Sequence, residues 1–211
     1  EDNVNSKVIG AMLILGPILT MGIWIAFNID TQDMSPSESM TAILAESNKA
    51  EIGSILQVFG VMSMFTGLYF LARSLKSDNT VSNHFAEIGG LFLLLLVPIW
   101  VVLMGSWLSA IDMANEFGND AGAIIIASST MLQMGAIMMV VGIFLLGISL
   151  TLLMKYKGII GILFIIASTS AFIDMIFDID VFAMIGWMGI FLITLVTGIL
   201  TTLQKENQAQ E

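Results

Sequence analysis

Residues 88–111, IGGLFLLLLVPIWVVLMGSWLSAI, run 24 positions without a charge, and a second uncharged block covers 122–154. A helix needs about 20 consecutive apolar residues to cross a hydrocarbon core roughly 30 Å thick. Blocks of this kind recur at about 8–27, 52–72, 88–111, 122–154, 158–176 and 181–203. Only 11% of the 211 residues are charged, against about a quarter in soluble domains. The expected fold class is therefore all-α: a polytopic, multi-pass membrane protein of six transmembrane helices forming one integral membrane domain. As one helix, the 122–154 block would be roughly 50 Å long, so it must tilt strongly or push a turn or two past the bilayer. Pro17 and Pro98 fall inside the first and third blocks and are expected to kink them, a loss that neighbouring helices repair.

Basic residues set the orientation. In the six-helix scheme Lys7, Arg73, Lys76, Lys155, Lys157 and Lys205 fall on one side and Lys49 alone on the other. Both termini are thus expected in the cytoplasm and the chain in the cell (plasma) membrane. The acids divide differently. Asp30, Asp33, Glu38, Glu46, Glu51, Asp112, Glu116, Asp120, Asp174, Asp178 and Asp180 lie outside, while Glu1, Asp2, Asp78, Glu87, Glu206 and Glu211 balance the inner cations, so the net charge of −10 sits on the outer face. The segment before the first apolar block is acidic and polar, and no small-residue cleavage site follows that block. No cleavable signal peptide is expected within the sequence, although Glu1 leaves room for residues removed ahead of it.

The blocks also echo one another. The second contains LQVFGVMSMFTGLYFLARSL and the fourth LQMGAIMMVVGIFLLGISL; SAIDM at 109–113 matches SAFIDM at 170–175, and MGIW at 21–24 matches MGSW at 104–107. Each odd-numbered block ends on an Ile-Asp pair: Ile29-Asp30, Ile111-Asp112 and Ile173-Asp174. The pattern suggests three helical hairpins in one orientation, parallel repeats rather than inverted ones. Chance matching among few apolar letters is the plainer account. Trp24, Trp107 and Trp187 map near the outer boundary, as an aromatic belt does, and Trp100 is expected between helices.

Candidate chemistry is sparse. Asp112, Asp174, Asp178 and Asp180 form the outer acidic set. Solvated hairpin tips are the ordinary reading, while Asp174 and Asp178, at i and i+4, share a face able to chelate a hard cation if the helix continues that far. Gln57 and Gln133 are the polar intramembrane candidates, either hydrogen-bonding across closely packed helices or facing one another in a polar pocket. Met131, Met134 and Met138 share a helical face; thioethers suit Cu(I), but Met more often fills gaps between helices. Met is abundant here, at 16 residues, and Cys is absent. That absence removes disulfides, thiolate metal sites and thiol nucleophiles. His84, the single histidine, reads as a solvated loop residue. No nucleotide-binding, hydrolase or metalloprotease motif occurs, and no Lys or Arg lies deep in a block. No cofactor, no metal and no catalytic activity are expected, and no basic stripe invites nucleic acid.

The connection at 28–49 carries MSPSESMTAILAES. Met40, Ile43 and Leu44 recur at helical spacing, predicting a short amphipathic helix capped by Ser37 or Ser39. It would lie on the outer surface or dock on a partner subunit. These features favour a non-catalytic accessory or structural subunit of a larger membrane complex, of respiratory or monooxygenase type, with lipid and other membrane subunits or further copies of itself as partners. A small cation transporter or channel with an acidic outer vestibule is the alternative, and a membrane enzyme ranks third. The orientation has a direct check: Asp112→Cys and Asp174→Cys label from outside intact cells with an impermeant maleimide, and Lys155→Cys does not; the reverse pattern inverts the topology.

Overall fold

The computed structural model describes residues 5–27, 29, 31 and 34–208. Asp30 and Asp33, counted above among the outer acids, lie outside them, as do the side chains of Gln133, Lys205 and Glu206. The protein is all-helical, with no strand among the described residues, and six of its helices are long and apolar enough to cross a membrane.

The first hairpin is α1 (Ser6–Phe27) and α3 (Ser47–Ser74), joined through a short α2 (Pro36–Ala45). The second pairs α4 (Thr80–Phe117) with α5 (Asn119–Ser129) and α6 (Gly135–Leu152). The third pairs α7 (Ile159–Phe177) with a composite helix: α8 (Asp180–Ala183), a π-helical turn (Met184–Met188) and α9 (Gly189–Gln208). α1 and α4 continue through Pro17 and Pro98. Each long helix packs on the next, and α9 returns to α1, closing a ring. Gly10 of α1 meets Gly198 and Thr202 of α9, so the N-terminal end of the first helix lies beside the C-terminal end of the last. The start of α1, the end of α9 and the connections 75–79 and 153–158 thus share one end of the ring, the terminal end. The end of α1, the start of α2, the 178–179 connection and Gly118 mark the far end.

The 122–154 block is not one helix. It breaks at a 3-10 segment, Thr130–Met134, into α5 and α6. Gly135 rests on Ile99, which places that break level with the Pro98 turn of α4. The partner helix nonetheless follows α4 along its length, from Ser82 bonded to Ser149 (2.9 Å) at one end to Gly122 against Ala110 at the other. α4 has 38 residues and is about 57 Å long, well beyond what a hydrocarbon core requires. Gly118, at φ 94°, adopts the backbone that ends it.

Side chains fill the ring. Leu13, Phe65, Leu68, Leu93, Ile143 and Phe164 are fully buried within one apolar cluster, and Trp100 packs against it. A second cluster stands at the far end, where Met40 and Ile43 of α2 meet Ala110, Ile111 and Ala114 of α4 and Ala123 of α5. α2 therefore docks on the chain's own second hairpin, not free on a surface. Its cap is Ser35, not Ser37 or Ser39. Pro36 occupies the first helical turn, and Glu38 receives hydrogen bonds from the Ser35 hydroxyl (2.6 Å) and N–H (2.8 Å), a complete capping box. Those two donors, the hydroxyl first, hold the Glu38 carboxyl below the ordinary glutamate range.

The hairpins meet through small residues. A Cβ on Gly161 of α7 would lie 2.5 Å from the Gly147 carbonyl oxygen of α6. Gly161→Ala should therefore destabilise the protein by about 1–3 kcal/mol. Gly22→Ala and Gly105→Ala, where a Cβ meets nothing within 4 Å, should gain about 0.5–1 kcal/mol from helix propensity. Thermal unfolding in detergent micelles separates the two classes.

Candidate functional site

Polarity inside this protein is nearly all hydroxyl. Every buried polar residue among the described ones is a Ser or Thr, and most bond the carbonyl one turn back in their own helix, as Thr20 does to Gly16 (2.8 Å), Ser168 to Phe164 (2.7 Å) and Thr194 to Ile190 (2.7 Å). Such groups spend their donor within their own helix. Side-chain links between helices among the described residues include Ser82–Ser149, Ser63 to the Met12 carbonyl (3.1 Å), Tyr156–Thr201 (2.6 Å), Asn119 to Thr41 (3.1 Å) and Trp187–Asp174 (2.9 Å).

The last of these contains the one half-buried acid of the outer set, and it is the most distinctive polar feature of the far end. Asp174 sits in the final turn of α7. The 178–179 turn reverses the chain, and the π-helical turn swings Trp187 so that its indole Nε1–H donates to an Asp174 carboxylate oxygen. The widened turn is accommodated because Gly186 lets the backbone close on Ala171 of α7; a Cβ there would meet the Ala171 backbone. π-Turns inside α-helices often mark functional positions. Sequence reading placed Trp187 only in an interfacial belt. A donor 13 positions from its acceptor, brought in by an irregular turn, leaves no periodic signal.

The remaining acids do not join this pair. α7 ends at Phe177, and Asp178 caps it in a left-handed conformation, φ 51°. The shared i, i+4 face expected for Asp174 and Asp178 is therefore lost; the backbone N–H of Asp178 bonds the Asp174 carbonyl (2.7 Å) instead. Asp180 is exposed in the first turn of α8, and Asp112 is exposed on α4, whose neighbours are α3, α5, α6 and α2. No group of three or more His, Asp or Glu among the described residues is arranged to hold a metal ion.

Gln57 is half-buried on the face of α3 that carries Gly53 and Gly60, which meet Phe27 and Thr20 of α1. Gln133 lies in the 3-10 segment, which packs on α4, α5 and α6. Both segments are neighbours of α4, but α3 turns the Gln57 stripe toward α1. The methionine stripe is broken by the same 3-10 turn. Met131 and Met134 are 79% and 66% exposed, whereas Met138 packs against the core.

At the terminal end, Lys7, Arg73, Lys76, Lys155 and Lys157 lie on the helix ends and connections. Arg73 stacks over Tyr69 and Lys155 over Tyr156, at 5.9 and 5.8 Å. A cavity of about 130 Å³ opens between the end of α3 and the start of α4, lined by Arg73, Lys76, Asn83 and Glu87 among others. His84 is exposed, 4.0 Å from Glu87. At the far end Lys49 pairs with Glu46 (2.9 Å).

Trp187→Phe keeps the ring and removes the donor to Asp174. It should cost about 1.5–3 kcal/mol, the range of a hydrogen bond to a charged group, while Asp174→Asn, which keeps an acceptor, costs less. Unfolding midpoints in detergent measure both. No protein-family model, no curated protein and no solved structure matches this chain.

Proposed function

We propose that this chain is a non-catalytic, multi-pass protein of the cell membrane, with both termini cytoplasmic, and that it serves as an accessory or structural subunit of a larger membrane complex, such as a respiratory or monooxygenase assembly. One observation carries the reading: the interior of the helix ring is filled by Phe, Leu, Ile and Met, and the buried polar side chains among the described residues are all Ser or Thr hydroxyls, most of them bonded to a carbonyl of their own helix. Such an interior offers neither an acid–base pair nor an aqueous path, since an ion crossing it would shed its hydration with no ligand to replace it. The cations gathered at the terminal end support the orientation.

The threefold hairpin repeat belongs to this proposal. Aligning LARSL at 71–75 with LGISL at 146–150 makes Ala72 equivalent to Gly147, and Gly-Ile at 198–199 aligns with Gly147-Ile148. These three small residues occupy the same role. Ala72 receives Gly90 of α4, Gly147 receives Gly161 of α7, and Gly198 receives Gly10 of α1. Recurrence of one junction around the ring supports descent from a single hairpin.

Mild solubilisation of the source membrane followed by native-gel mass spectrometry tests the assignment. The expected result is co-migration with larger partners in a fixed ratio. A chain that runs alone and admits a cation into sealed liposomes would replace the subunit reading with a transporter.

A further inference from the structure

Within each hairpin, close contacts reach into the far half of the ring. In the first, Gly16 abuts Met64, Gly60 abuts Thr20 and Gly53 abuts Phe27. In the second, Gly135 meets Ile99, and Gly122 meets Ala110 and Ala114. In the third, Gly186 lies on Ala171 and Gly189 faces Ala167, with the Trp187–Asp174 bond beyond them. Between the membrane-length helices of different hairpins the glycine contacts lie near the terminal end, Gly90 on Ala72, Gly147 on Gly161 and Gly10 on Gly198, while at the far end Gly122 meets Met40 of α2. The first two hairpins are additionally tied at the far end, because α2 buries Met40 and Ile43 against α4 and α5 and Thr41 accepts a bond from Asn119. The third hairpin has no equivalent strap. Its tip, α8 and the π-turn, packs chiefly on α7 and α9, its own partners.

On α7 the buried apolar residues are Ile160 and Phe164 near the terminal end and, toward the far end, Ala167 and Ala171, which meet Gly189 and Gly186 of its own hairpin. Inside a bilayer, lipid tails replace apolar helix contacts at little cost, so association depends on close packing and polar links. Both are concentrated where the third hairpin meets its neighbours at the terminal end.

We infer that α7 and α9 form a rigid arm that swings at its far end against a body made of the other two hairpins, pivoting on the Gly147–Gly161 and Gly10–Gly198 contacts and opening the ring laterally along the α6/α7 and α9/α1 seams. The Trp187–Asp174 bond keeps the two helices of the arm together as it moves. This motion rests on the packing alone and is independent of whether partner subunits exist.

The absence of native cysteine makes the inference testable by paired spin labels on exposed positions, which leave the packing intact, in the full chain reconstituted into phosphatidylcholine liposomes. Ile25→Cys with Met184→Cys spans the far end of the α9/α1 seam. Val8→Cys with Leu203→Cys spans its terminal end. Phe172→Cys with Met184→Cys lies within the arm, and Ile25→Cys with Ile52→Cys within the first hairpin. The expected result is two separated distance populations for the first pair and a single narrow one for each of the other three. A single narrow population at the far seam, or a second population at the terminal pair or inside either hairpin, would overturn the swinging arm.

Discussion

Close approach of one helix backbone to another is the interaction on which this architecture depends. In a bilayer the hydrophobic effect that packs a soluble core is spent on inserting the helices and adds little to holding them together. What remains is dispersion between well-fitted surfaces and the few polar links available. Where Gly10 faces Gly198, Gly89 faces Gly142 and Gly147 faces Gly161, each glycine would bring a Cβ within about 3 Å of the other's carbonyl oxygen. Side chains larger than hydrogen at these points would push the helices apart and forfeit the surrounding contacts. The ring is assembled from such junctions, and its centre is filled by large residues, Phe65 and Phe164 among them, that hold non-adjacent helices at a distance.

The placement of polar groups suits such a medium. Hydroxyls are tolerated inside because a Ser or Thr can bond the carbonyl of its own preceding turn, as Thr151 does to Gly147 and Thr202 to Gly198. Carboxylates are kept to the helix ends. Asp174, the most enclosed of the outer set, has the Trp187 indole as donor, and the bond requires a π-turn that shifts the tryptophan relative to a regular helix. The irregular turn and the acid thus explain each other. At the opposite end the aromatic rings of Tyr69 and Tyr156 lie under Arg73 and Lys155, which suits the amphipathic character of a bilayer surface.

Local chemistry was legible where neighbours in sequence are neighbours in space. The short helix at 36–45 follows from the spacing of Met40, Ile43 and Leu44. Its true cap was also written in Ser35-Pro36-Ser37-Glu38, since proline favours the first helical position and Glu38 then falls where a capping box needs it; the serines after the proline were the wrong choice. The docking of that helix on α4 and α5 was not legible, because an amphipathic face states that something covers it without stating what. The break at 130–134 was hidden for a related reason. A fully apolar block has no periodicity to interrupt, and Thr130 and Gln133 do not by themselves distinguish a 3-10 turn from an α-helix. With that turn, the expected convergence of Met131, Met134 and Met138 disappears.

Apolar length and the distribution of charge are one-dimensional properties, and the sequence by itself determined what depends on them: an all-helical chain, six helices long enough to cross a bilayer, and cations gathered at one end. Tertiary structure alone decided which faces meet. The rotation of each helix about its axis, the pairing of Gly161 with Gly147 and of Trp187 with Asp174, and the strap that α2 lays across the first two hairpins depend on contacts between distant residues. These helices are apolar on nearly every side, so hydrophobicity along the chain does not distinguish a face buried in the protein from an outer one; fit between surfaces does.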